Sequence, residues 1–148
     1  MAKEAALVSH VIEVKAALKS QLATAATIIG GKLESNAKTE ISSSVYNTPA
    51  SWYTRTGRLR NSITHKTEDE SHGVDIIVGT NVEYAPYVEL GTGILAEKGD
   101  GRKTPWTYLG SDGKFHTTTG MSPRPYLRPA VEDHADEYKR VVEQCLKD

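Results

Sequence analysis

The run LVSHVIEVKAALKSQLATAATIIGG, from Leu7 to Gly31, sets the first element of the fold. Leu7, Val11, Val14, Leu18, Leu22, Ala25 and Ile29 recur every three or four residues, which at about 100° per residue puts them on one helical stripe. Lys3, Glu4, Glu13, Lys15 and Lys19 lie off that stripe. Gly30-Gly31 interrupts it, each glycine costing about 1 kcal/mol relative to alanine inside a helix. The period then resumes loosely through Leu33, Ala37 and Ile41. This N-terminal helical region, residues 1–43, fits one long helix weakened at the glycines or two helices meeting there. A helix of about 40 residues would be about 60 Å long. That exceeds the diameter of a domain this small, so part of it is expected to project or to pack on something else.

Beyond it the period changes. Ser42 to Arg55 reads as a loop, with Pro49 and polar neighbours breaking the pattern. A short turn, Thr56 to Ser62, leads into a strand from Ile63 to Glu68. Glu70-Ser71-His72-Gly73 reads as a hairpin turn and Val74 to Thr80 as the return strand, with Val74, Ile76 and Val78 alternating onto one face. Such a hairpin needs further strands or a helix against it to be stable. Asn81 to Leu90 contains a short helix, with Pro86 suited to its first turn and Gly91 to its stop.

Residues 94–121 form a long excursion rich in Gly, Thr and Lys, expected to be mobile. Trp106-Thr107-Tyr108-Leu109 and Lys114-Phe115-His116-Thr117 flank Gly110-Ser111-Asp112-Gly113 within it, which predicts a second hairpin. A loop of this length in a compact domain is usually functional. The last element is a helix in which Pro129 takes the first position, with Glu132 and Asp133 near its positive start. Val131, Ala135, Tyr138, Val142 and Cys145 repeat along it at 4, 3, 4 and 3, and Lys139, Arg140 and Lys147 favour its negative end. The expectation is one α+β domain spanning 1–148: a small antiparallel sheet packed by a long N-terminal and a C-terminal helix.

The bulk numbers narrow the function. With 148 residues, 38% hydrophobic and 25% charged, the chain is a folded domain with one modest core. Eighteen Lys and Arg against 19 Asp and Glu give a net charge of -1, without the basic excess of a dedicated nucleic-acid binder. The single cysteine, Cys145, excludes an intramolecular disulfide and reads as a small buried hydrophobe. The first residues carry no signal-peptide pattern and no stretch approaches a membrane span, so a protein made in a cytoplasm and staying soluble is expected.

Chemistry-bearing patterns are sparse. His10, His65, His72, His116 and His134 are scattered, and none forms a metal-binding pair by spacing, although His65 and His72 have the spacing to face each other across the first hairpin. Asp69, Glu70 and Asp75 near the turn read as solvated acids. The glycines of Gly91-Thr92-Gly93 and Gly99-Asp100-Gly101 match no phosphate-binding loop. No catalytic residue, metal site or cofactor is expected. Aromatic and arginine residues stand instead among turn residues: Tyr84, Tyr87, Trp106, Tyr108, Phe115 and Tyr126, with Arg58, Arg60, Arg124 and Arg128. Tyr, Trp and Arg are the types that anchor protein–protein contacts. Tyr84, Tyr87 and Leu90, at i, i+3 and i+6, suit equally the buried face of a short helix. Arg58 and Arg60 suit an ordinary solvated turn slightly better than an interface.

Three segments together resemble one family. They are TGRLRNSI (Thr56–Ile63), VGTNVEYAPYVELGTG (Val78–Gly93) and PRPYLRPA (Pro123–Ala130). In this order, between an N-terminal and a last helix, they are similar to the small tail-completion, or head–tail joining, proteins of long-tailed bacteriophages, over nearly the whole chain. Leu90 departs from that pattern, standing where an aromatic is expected, and the Ile94–Met121 excursion is longer than a minimal member's loop. The resemblance implies an α+β fold and a structural, non-catalytic subunit of the virion neck. It implies no cofactor, assembly in the host cytoplasm, and a homo-oligomeric ring in contact with head-connector and tail proteins. Arg58 and Arg60 would be the residues to approach DNA in such a channel. A tail-terminator or tail-tube subunit is the nearest alternative, and a small nucleic-acid-binding module, owing its affinity to Arg58, Arg60, Arg124 and Arg128, a more distant one.

Overall fold

The computed structural model describes residues 2–47 and 55–147, and of residues 2–7 the backbone alone. The glycines do not break the first helix: α1 runs unbroken from Ala2 to Ile41. Gly31 is exposed, and a side chain there would meet nothing within 4 Å. Gly30 is where another element crosses, because a Cβ on it would come within 2.3 Å of the His65 ring. The expected loop from Ser42 is helical in its first part. Ser42–Tyr46 form a π-helical turn closed by the Asn47 N–H on the Ser42 carbonyl at 3.1 Å. The hydroxyls of Ser42, Ser43 and Ser44 donate back to the carbonyls of Lys38 and Glu40, which loosens the ladder that a straight α-helix would keep. Pro49, expected to break the period in that loop, lies outside the described residues.

The short turn is a helical turn, α2 (Arg58–Ser62), opened by Gly57 at φ 76°. It feeds β1 (Thr64–Glu70), which pairs antiparallel with β2 (Gly73–Gly79) in the register Thr64↔Gly79 to Glu70↔Gly73. The alternation was legible: Val74, Ile76 and Val78 turn towards the protein while Ile77 is exposed. α3 (Ala85–Leu90) follows, with Pro86 in its first turn, then a 3₁₀ turn at Gly93–Leu95. β3 (Trp106–Leu109) and β4 (Phe115–Thr118) form the second hairpin. The two hairpins remain separate two-stranded sheets rather than one sheet.

The last helix is two. α4 (Leu127–Glu132) and α5 (Ala135–Cys145) are separated at Asp133–His134. That break corrects four readings of the single-helix expectation. Pro129 is the third residue of α4 rather than the first, and Val131 is exposed instead of continuing the Tyr138–Val142–Cys145 face. Asp136 and Glu137, not Glu132 and Asp133, occupy the acidic first turn of α5, and its last turn carries no basic residue.

α1 is the axis of the core. Ala25, Ile29, Leu33, Ala37 and Ile41 fall every four residues and are all buried. The first three pack with Val141 of α5, together with Ile76 and Val78 of β2 and Tyr138, Val142 and Cys145 of α5. Ala37 and Ile41 pack with Leu59, Ile63, Val82, Ala85, Tyr126 and Ala130. Polar links fasten the same pairs: Lys32 to Glu137 at 2.5 Å, and the Asn36 amide to the Tyr138 hydroxyl at 2.9 Å, which itself donates to the Ala130 carbonyl.

Candidate assembly surfaces

The first surface is the half of α1 that the body does not cover. Every residue from Val8 to Ser20 is exposed. Val11, Val14 and Leu18 continue on the helix the face that Ala25 and Ile29 bury, and Val8 and Ile12 add to it. Lys19 pairs with Asp69 at 3.2 Å across the hairpin end. The projection expected from the helix length is therefore present, with an aliphatic row facing solvent. Large exposed apolar patches are sites at which proteins meet a protein, a membrane or a ligand.

The second surface lies where α3, the 3₁₀ turn and β3 meet. A cleft of ≈ 620 Å³ is lined by Pro86, Tyr87, Leu90, Ala96, Arg102 and Trp106, among others. Tyr87 is 59% exposed and Tyr84 42%, so they do not form the buried face of α3; Ala85 and Val88 do. The Arg102 guanidinium sits 5.7 Å from the Trp106 ring centroid, a cation–π distance. Trp106 and Tyr108 lie on one face of the second hairpin, half-buried, with Tyr108 beside His116. The opposite face presents Leu109, paired across the strands with Phe115, at 62% and 77% exposure. Leu109 was not singled out in the sequence, although strand alternation puts it beside Phe115.

These surfaces are held by a relationship that sequence reasoning missed. The Glu89 carboxylate accepts the backbone N–H groups of Tyr126, Leu127 and Arg128, at 2.7, 3.1 and 3.2 Å. It caps α4 from 37 residues away, where Tyr126 itself supplies no capping side chain. Pro129, next in line, has no N–H to satisfy. The base of the excursion is pinned as well: Thr92 and Met121 exchange backbone hydrogen bonds, and Ile94 donates to Thr119. Arg128 grips Glu97 with both terminal nitrogens, at 3.0 and 2.9 Å. The Arg124 N–H donates to the Val88 carbonyl at 2.8 Å, tying the PRPYLRPA segment to α3. Gly91, at φ 75°, has no room for a side chain, since a Cβ would meet the Met121 carbonyl at 2.7 Å and Pro123 at 2.8 Å.

Tyr126 does not belong to an interface of the folded chain. It is 0% exposed, and its hydroxyl has no hydrogen-bond partner among the described residues. Burial, with Glu89 and Tyr84 adding to it, pushes its phenol up to about 12. Arg58 and Arg60 are exposed on α2. Two residues apart on a helix, they do not share a face; Arg60 turns over the Tyr46 ring at 5.6 Å. The histidines are dispersed. His65 pairs with Glu34 at 2.7 Å, His72 with Asp75, His116 with Asp112 and His134 with Glu137. His65 stands opposite Val78 rather than His72, which lies in the turn. Among the described residues no group of acids, histidines or cysteine is placed to hold a metal ion. Nor is any helix there long and apolar enough to cross a membrane.

The family model described as "Bacteriophage HK97-gp10, putative tail-component" matches residues 4–91, from α1 to the end of α3, so the chain belongs to the HK97-gp10-like family. That makes it a structural tail component of a bacteriophage, with a place in the virion among other phage structural proteins. No curated protein and no solved structure matches the chain at a significant level.

Proposed function

We propose that the protein is a structural subunit of the phage head–tail junction that completes the tail by ring-forming protein–protein contacts and catalyses no reaction. The observation that carries this is the exposed row Val8, Val11, Ile12, Val14 and Leu18 on the projecting half of α1. Five aliphatic side chains facing water on a helix whose other half is buried are stable in an assembly that covers them. A joint needs no turnover, only a surface for its own copies and separate faces for the head connector and the tail. Host-cytoplasmic assembly and passing contact of Arg58 with DNA belong to the same reading.

The test is electron microscopy of particles grown with the gene intact and deleted. DNA-filled heads beside separate tails of normal length are the expected result. Tails of abnormal length would move the assignment to tail termination, and normal virions would refute a structural role.

A further inference from the structure

The geometry points to a head-to-tail contact between copies of this chain, in which Leu109 and Phe115 of one copy plug the cleft of Pro86, Tyr87, Leu90 and Trp106 on the next. Three observations meet here. Among the described residues, Leu109 and Phe115 are the two most exposed of the large hydrophobic residues, and they are neighbours across β3 and β4. The cleft, ≈ 620 Å³, is open and has an aromatic and aliphatic floor. One short hairpin carries both: Trp106 lines the cleft, and strand alternation turns Leu109 to the opposite side. Plug and cleft therefore face away from each other within one copy and cannot satisfy each other there. Surfaces that are complementary but different and oppositely directed make heterologous contacts, which close into rings when the rotation per subunit fits.

The plug is already ordered. Gly110 donates to the Lys114 carbonyl at 2.8 Å, Gly113 to the Gly110 carbonyl at 3.0 Å, and Asp112 accepts from the Lys114 N–H while holding His116. Docking it freezes little further motion. Asp112 is already paired with His116, which leaves Lys114 of the turn to meet Asp100 of the cleft lining. Two side chains are a small contact beside the roughly 1,200 Å² of a stable interface. The contact is thus one for ring closure, where every copy makes it twice, rather than for a free dimer.

This deepens the self-assembly part of the proposed function and rests on it. The test uses Phe115→Cys and Tyr87→Cys, each in a full-length chain with Cys145→Ala, supplied singly and together to phage lacking the gene. Oxidised virions should hold a disulfide-linked dimer only when both variants are present. Virions containing both without the link, or F115C linking to itself, would overturn the plug. If F115C does not enter virions, Phe115→Leu must enter and Phe115→Ser must fail; equal behaviour of those two also overturns it. Particle morphology in the deletion judges the junction reading separately.

Discussion

The ring of His65 lies on the bare backbone of Gly30: a methyl group there would stand 2.3 Å from its Cδ2 and 2.9 Å from its Nε2. The ring is held in place by the Glu34 carboxylate, 2.7 Å from Nδ1. One glycine of the pair therefore lets β1 approach α1, and the other does nothing of the kind. Gly31→Ala should raise stability by about 1 kcal/mol, the helical advantage of alanine. Gly30→Ala should lower it by about 1–3 kcal/mol through overpacking, and His65→Ala in the same chain should relieve that loss non-additively. Urea unfolding of the wild type, G31A, G30A, H65A and the G30A/H65A double variant decides; equal effects of the two glycine-to-alanine changes would mean that the ring moves aside freely.

Glu89 gives a second prediction. Three backbone N–H groups at the start of α4 depend on one carboxylate. Glu89→Ala should cost about 2 kcal/mol, at the upper end for a lost cap, because the acceptor is charged and partly buried. Glu89→Gln, which keeps one acceptor oxygen, should fall between. Hydrogen exchange should then quicken at Leu127 and Arg128 before α5; unchanged exchange there would show that water substitutes for the carboxylate.

A third concerns pH. The Arg128 guanidinium, hydrogen-bonded to Glu97, holds that carboxyl below its ordinary value of 4.5. A depressed folded value means the pair stabilises the fold above about 4.5 and the contribution fades as pH falls through the lower folded value. An NMR titration of Glu97 should therefore have its midpoint below 4.5, and Arg128→Gln should bring it back up. High salt should shrink the shift, since the pair is exposed. A midpoint unaffected by R128Q would contradict the pairing.

A fourth separates folding from assembly along one helix. Leu33→Ala, in the core, should cost about 2–5 kcal/mol. Replacing Val11, Val14 and Leu18 together by serine should change stability by no more than about 0.5 kcal/mol per site, as surface substitutions do, while excluding the chain from virions. Loss of folding in the triple variant would place those residues in a core.

Much of the architecture was legible because it rests on local periodicity. The 4-spaced residues of α1, the alternation Val74–Ile76–Val78 and the Gly110–Gly113 turn each show in a short window of sequence. What was not legible depends on partners far along the chain. The break between α4 and α5 falls inside a heptad-like run, so Val131 was placed with Tyr138 although it faces water. Tyr126 sits in a Pro- and Arg-rich stretch that resembles an exposed anchor, and only the packing of α1 on α4 takes it inside. Glu89 reads as one more helix acid until Tyr126 is brought to it across 37 residues. For the candidate surfaces, Tyr87, Trp106 and Phe115 were recognisable by residue type. The way Trp106 and Phe115 divide between two faces followed from the register.

The continuity of α1 across residue 20 couples two events that look independent. The row Val11–Val14–Leu18 is exposed; its direction follows from Ala25, Ile29 and Leu33, seated on β2 and α5. The body thus fixes the rotational phase of the arm, as a keyway fixes a shaft. One residue inserted near Ser20 would turn the outward row by about 100° without disturbing a single buried side chain, whereas seven would return it to within about 20°. Drift in the length of this helix is therefore tolerated by the fold in any amount, and by the assembly only in steps of a heptad.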